Sequence, residues 1–286
     1  MLLSILETGV PIVAFLLMIA VGLDVTRADL QRVGHQRTQV VLVTVAQAML
    51  LPAVALLLAG IPSTPTVAEY VLLVAACPGG GMSNVYVYLA RANTALSVIL
   101  TAVSSVTAVV TMPLIFSAYA MLSGRPLAFR VPLPTLIAQL LIMTVIPVAF
   151  GAWLRDRHPA LEQRYAPMLR TCAAAGVALI VVVGLIQSAG IMTMELVRGG
   201  FAASLLAAAG MLLGYLCGLA ARLPHSDRFT LLVEFAVRNL AIAMVIEVTL
   251  LGRPDFISFG ALALLAQAVL LGAAVKGRLL SERRLQ

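Results

Sequence analysis

Within one long apolar run, the segment Val233-Glu-Phe-Ala-Val-Arg-Asn239 places an acid, a base and an amide close together. A charge at the centre of a membrane helix costs about 2.5–3.5 kcal/mol on insertion scales, so Glu234 and Arg238 left uncompensated would cost roughly 5–7 kcal/mol together. Residues kept at that cost mark function by default. On an unbroken helix the spacing of four brings both onto one face, where they can form a self-neutralising salt bridge. The competing reading is an intramembrane site, with Asn239 adding an amide beside the pair.

A second cluster is Cys77-Pro-Gly-Gly-Gly-Met-Ser-Asn84, with apolar sequence on both sides. Proline removes a backbone donor and three glycines favour unwinding, so the helix is expected to break near Pro78 to Gly81. The bland reading is a proline kink made for packing. The other is a broken helix whose freed carbonyls and amides line a cavity and bind an ion or anion. Ser83 and Asn84 follow the break at once and favour the second. Ser97, Thr101, Ser104, Ser105 and Ala108 recur at three- and four-residue intervals. Alone, such a stripe reads as small-residue glue between helices. Beside the break it supplies hydroxyl oxygens, and Ser83, Asn84, Ser97, Thr101 and Glu234 together make one oxygen shell for a hard monovalent cation.

Other chemistry is poorly supported. His35, His158 and His225 all fall in basic loops, and neither a His-Glu-x-x-His helix nor a Gly-x-Ser-x-Gly elbow is present, which argues against an enzyme. Cys77, Cys172 and Cys217 lie in apolar runs without metal-ligand spacing and read as buried small hydrophobes. Glu247, near the end of its run with Arg253 and Asp255 following, reads as interfacial. No organic cofactor is implied.

The elements that must position these residues follow from composition. Of 286 residues 62% are hydrophobic and only 11% charged, against about 25% charged in a soluble domain. This excludes a cytosolic enzyme, a disulfide-built secreted domain and a disordered regulator. The long apolar runs also exclude a barrel of short alternating strands. The fold class is all-α, a polytopic membrane protein of about nine transmembrane helices. The spans are placed near Ile5 to Val25, Gln39 to Ile61, Val67 to Leu89, Ala95 to Leu122, Leu133 to Leu154, Leu169 to Ile191, Gly200 to Ala221, Phe229 to Leu251 and Phe256 to Val275. The longest connection runs over 155–167, and no extramembrane domain is expected. Glu7, ahead of the first apolar run and without a basic n-region, argues against a cleaved signal peptide.

The net charge of +7 is a topology signal. One set of alternate loops holds fourteen basic residues, from Arg27, Arg32 and Arg37 through Arg91, Arg155 and Arg170 to Arg284, and the opposite set holds four, Arg125, Arg130, Arg198 and Arg253. Cytoplasmic loops retain the excess, so the amino terminus is expected outside and the carboxyl terminus inside, in a cell (inner or plasma) membrane. No nucleic-acid partner is needed to explain the charge.

The run Pro78-Gly-Gly-Gly-Met-Ser-Asn-Val-Tyr-Val-Tyr-Leu-Ala-Arg-Ala-Asn-Thr-Ala-Leu-Ser-Val98, continued by Thr101 and Ser104-Ser105, resembles the pattern PGGxxSNxxxxLAxGxxALS…T…S of bile acid:sodium symporters. Glu234-Phe-Ala-Val-Arg-Asn239 is similar to that family's ExxxQN crossover. The resemblance implies inverted repeats, two broken crossing helices, and a single transporter domain over 1–286. Its panel would hold the spans near 5–25, 133–154 and 169–191, and its core those near 39–122 and 200–275. It also implies a first sodium site at Ser83, Asn84, Ser97, Thr101 and Glu234, with all five residue types kept. A second site would match Gln47, Glu234, carbonyls near Phe235 and Val237, and a glutamine where this chain has Arg238. A guanidinium offers only donors and a fixed positive charge, so this second site is expected to be degenerate, with Arg238 as the ion's permanent surrogate. Asn239, Gly81 and Arg238 are the expected substrate residues; Gly81 and Leu240 depart from polar residues frequent in the family.

The function this supports is secondary active transport of an organic anion, bile acid-like, pantoate-like or another carboxylate or sulfate, by alternating access and coupled to one sodium. Proton coupling, or sodium-independent carriage with Arg238 anchoring the substrate carboxylate, is the alternative. From another class, a passive channel or membrane sensor would use the same polar cluster, but repeated pore loops and rings of charge are not visible. Partners are the small anion and the lipid bilayer; nothing in the sequence speaks to oligomeric state.

Overall fold

The computed structural model describes residues 2–28, 31, 37–59, 65–123, 133–189, 194–253 and 256–285. Of the loop residues invoked above, Arg32, His35, Arg125, Arg130 and Asp255 lie outside them. The described residues form helices throughout: α1 (Leu2–Asp24), α2 (Arg37–Ala59), α3 (Pro65–Ala76), α4 (Met82–Leu89), α5 (Thr94–Ser123), α6 (Leu133–Leu140), α7 (Ile146–Arg157), α8 (Pro159–Ala189), α9 (Met194–Ala220), α10 (His225–Ala236), α11 (Leu240–Thr249) and α12 (Phe256–Leu285). A π turn, Leu141–Val145, joins α6 to α7. Pro147 cannot donate to the carbonyl four residues back, and the widened turn falls where that bond is missing.

Among the described residues six helices are long and apolar enough to cross a membrane: Thr38–Leu58, Thr94–Met121, Leu133–Arg157, Pro159–Ile186, Met194–Ala220 and Ile257–Ser281. Shorter apolar helices cover Thr8–Asp24, Thr66–Ala76 and Leu240–Thr249. The third and eighth expected spans are interrupted. One stops at Ala76 and restarts at Met82, the other stops at Ala236 and restarts at Leu240.

Small residues set the closest packing. Gly210, Gly214 and Gly218 form a row along α9 against α10, where a Cβ on Gly210 would stand 2.6 Å from the carbonyl oxygen of Phe235 and one on Gly218 3.0 Å from the Cα of Arg228. Such small-xxx-small rows let membrane helices approach backbone to backbone. Gly22 and Gly151 do the same for α1 and α7, where a Cβ on Gly151 would stand 2.8 Å from the amide of Leu23. Helices α1, α7 and α8 pack on one another, while α9 packs on α2, α3, α10 and α12. Arg27 and Asp156 form an ion pair, and Arg170 meets Asp24 at 2.8 Å, tying α1 to α7 and α8 at one end.

Two expectations are corrected here. The connection placed over 155–167 is mostly helix, because α8 begins at Pro159, directly after α7. Of the cysteines only Cys77 is buried; Cys172 is exposed and Cys217 half-buried, an apolar environment being available to them from lipid as well as from protein. Glu247 is fully buried within the protein on α11, because α11 packs among α1, α3 and α12.

Arg278, one of the fourteen basic residues assigned to the cytoplasmic loops, is a buried tie on α12. Its Nε donates to the carbonyl of Ala90 at 2.8 Å, and its guanidinium lies 5.0 Å from the Phe229 ring centroid. It thereby holds the turn after α4 and the start of α10 to α12. Arg278→Ala is expected to cost about 2 kcal/mol, the size of a hydrogen bond from a charged donor, read as a lowered thermal-unfolding midpoint of the purified protein.

Candidate functional site

The two helix breaks lie side by side and hydrogen-bond to each other. The amide of Gly80 donates to the carbonyl of Val237 at 3.1 Å, the amide of Asn239 donates to that of Pro78 at 2.9 Å, and Gly79 and Arg238 form an antiparallel bridge. Side chains take most of the remaining groups. Ser104 Oγ accepts from the amide of Gly79 at 3.0 Å, Gln267 Nε2 donates to the carbonyl of Ala236 at 3.2 Å, and Arg238 Nη2 donates to the carbonyl of Cys77. Asn239 caps α11, its Oδ1 accepting from the amide of Ile242 at 3.2 Å. Unwound backbone away from water persists only when its polar groups are met in this way.

Glu234, on the last turn of α10, faces α4 and α5 and is fully buried. Its carboxylate accepts from Ser83 Oγ at 2.5 Å, from Ser97 Oγ, and from Thr101 Oγ1 at 3.2 Å. Ser97 Oγ also stands 2.8 Å from Asn84 Oδ1, and Ser83 Oγ stands 3.4 Å from Ser97 Oγ and 3.1 Å from Thr101 Oγ1. With Glu234 ionised, three hydroxyl protons serve these six oxygen-oxygen pairs. Lone pairs therefore outnumber the hydrogens between them, a condition that a small cation in their midst, or a proton on the carboxylate, relieves. All five residues expected to form one oxygen shell meet here. Ser105 turns back to its own helix, donating to the carbonyl of Thr101 at 2.7 Å.

The salt bridge expected of an unbroken helix does not form. Because α10 ends at Ala236, Arg238 lies in the extended break, and its guanidinium is directed to the carbonyl of Cys77 while the carboxylate of Glu234 is held by hydroxyls. Arg238 and Gln47 line one small polar cavity with Thr44, Cys77, Ser104 and Thr107.

On the other side of the breaks a cleft opens against α1 and α8. Its polar wall is Gly80, Gly81, Arg238, Asn239 and Gln267, and its apolar wall includes Leu17, Met18 and Ile180. Asn239 Nδ2 lies 3.4 Å from Met18 Sδ. The N-terminal ends of α4 and α11 both border this cleft, through Gly81 and Asn239. Helix N-termini favour anions, so the cleft suits a solute with an anionic end and an apolar body. Gln267 escaped the sequence reading; an amide in the middle of an otherwise apolar span was its only signal.

The model of the Sodium Bile acid symporter family matches residues 11–195. The chain is 30% identical to the probable sodium/metabolite cotransporter BASS1, chloroplastic, of Arabidopsis thaliana over 66% of this chain and 46% of that protein. It is 27% identical to the uncharacterized sodium-dependent transporter YocS of Bacillus subtilis (strain 168) over 78% of this chain and 68% of that protein. Identity to the ileal sodium/bile acid cotransporter of Homo sapiens is 29% over 64% of this chain and 52% of that protein. The matched part thus spans about half the length of several of these relatives.

A Cβ on Gly80 would stand 2.9 Å from the carbonyl oxygen of Arg238 and 3.1 Å from its carbonyl carbon, so the two breaks can approach only with glycine there. Gly80→Val is expected to lower stability by about 1–3 kcal/mol, the usual cost of forced overpacking. A thermal-unfolding midpoint equal to that of the unaltered protein would count against the pairing.

Proposed function

Because the chain belongs to the Sodium Bile acid symporter family, we propose that it is a sodium-coupled carrier of an amphipathic organic anion, working by alternating access rather than as a channel, sensor or enzyme. The observation that carries this reading is the convergence of Ser83, Asn84, Ser97 and Thr101 on the buried carboxylate of Glu234. That set is read as the site of one sodium ion. The names of all three relatives above include sodium, and those names give the solute as a metabolite in one and bile acid in another.

In this reading the nine expected spans divide into a panel of α1, the α6–α7 helix and α8, and a core of the remaining helices around the crossed breaks. The close packing of α1 with α7 and α8 supports the division. The solute occupies the cleft between the two bodies, its anionic end at Gly81 and Asn239 and its apolar body along α1 and α8. Arg238 keeps a second sodium out by its fixed charge. Arg238 borders both the cleft and the cavity on the α2 side, and the contact of its guanidinium with Cys77, which borders the cavity alone, favours this role over anchoring the solute. The amino terminus is outside and the carboxyl terminus cytoplasmic in a cell membrane, on the asymmetry of basic loops.

Reconstituted into liposomes, the protein is expected to take up a bile acid, a pantoate-like acid, a keto acid or a steroid sulfate down an imposed sodium gradient with a Hill coefficient for sodium near one. Glu234→Gln removes sodium dependence. Ser97→Ala raises the half-saturating sodium concentration about tenfold, the loss of one contact to an ion. A coefficient near two overturns the single site, and uptake driven by protons without sodium overturns the coupling.

A further inference from the structure

We propose that the small polar cavity between α2, α5 and the first break binds one small monovalent anion of halide size. Arg238 is 6% exposed and Gln47 1% exposed. Arg238 satisfies only Nη2, on the carbonyl of Cys77, while its Nε and Nη1 have no hydrogen-bond partner. Gln47, across the same cavity, has neither Nε2 nor Oε1 bonded. Of the hydroxyls beside them, Thr44 donates to the carbonyl of Val40 at 2.8 Å, Ser104 to that of Thr101 at 3.0 Å and Thr107 to that of Val103 at 3.0 Å.

The unmet groups are therefore mainly donors around a fixed positive charge. Glu234 does not neutralise that charge by contact, because Ser83, Ser97 and Thr101 hold its carboxylate. Glu234 acts on the buried guanidinium only through space, and water in the cavity can meet its open hydrogen bonds but puts no charge in contact with it. An anion meets both. The walls from α2 and α5 leave room for a single small ion and none for an organic acid, and the cleft on the far side of the breaks shares only Arg238 with this cavity. The inference does not depend on which solute is carried or on sodium coupling.

The test uses the purified full chain at constant sodium and ionic strength, with gluconate replaced stepwise by chloride. The thermal-unfolding midpoint is expected to rise saturably with chloride, as for any ligand of the folded state; bromide reproduces the rise and sulfate does not. Arg238→Gln abolishes the dependence, and Gln47→Leu weakens apparent chloride affinity about tenfold, the size of one hydrogen bond to an ion. A midpoint indifferent to chloride, or the same dependence in Arg238→Gln, overturns the site. Should that variant not fold, crystals of the unaltered protein grown in bromide decide: an anomalous peak beside the Arg238 guanidinium is expected, and its absence there refutes the proposal. Sodium is held constant throughout, so failure of sodium-driven uptake and failure of chloride binding remain separate results.

Discussion

The pairing of two unwound segments is the constraint on which the rest of this structure depends. Each break exposes backbone donors and acceptors to an interior without water, where each unmet group costs several kcal/mol. The reciprocal bonds Gly80 to Val237 and Asn239 to Pro78 let one break answer the other. That exchange demands near contact of the two backbones, which is why Gly80 has no room for a side chain. It also brings the ends of four half-helices together, so that hydroxyls of α4 and α5 meet the acid of α10.

Three polar environments follow around one crossing. Toward α4 and α5 there is an excess of oxygen lone pairs around Glu234. Toward α2 there is an excess of donors around Arg238 and Gln47. Toward α1 and α8 two helix N-termini meet an apolar wall. The opposite charges of Glu234 and Arg238 are thus kept on different faces of the break instead of cancelling in one bond. A low-dielectric surround makes each charge act strongly on its own neighbours.

Much of the site was legible from residue types. Proline with three glycines cannot sustain a helix, and the break fell between Ala76 and Met82 as that chemistry requires. The stripe of Ser97 and Thr101 kept its period because α5 is continuous through it. The pairing of Glu234 with Arg238 was not legible, since a spacing of four predicts contact only if the helix continues. The burial of Glu247 was not legible for a related reason. Position along a span estimates depth, but the burial of that side chain is decided by α11 packing among other helices.

The sequence by itself determined an all-helical membrane chain, the position of its first break and the residue types of one cation-like shell. Those properties are local, depending on transfer of apolar side chains out of water and on the backbone chemistry of proline and glycine. Only the tertiary structure decided that the second break answers the first, that Gln267 and Arg238 complete their carbonyls, and that Arg238 faces Gln47 and not Glu234. Those outcomes join residues from more than thirty to more than one hundred and sixty positions apart, and a partner at that separation is chosen by packing, which no local periodicity encodes.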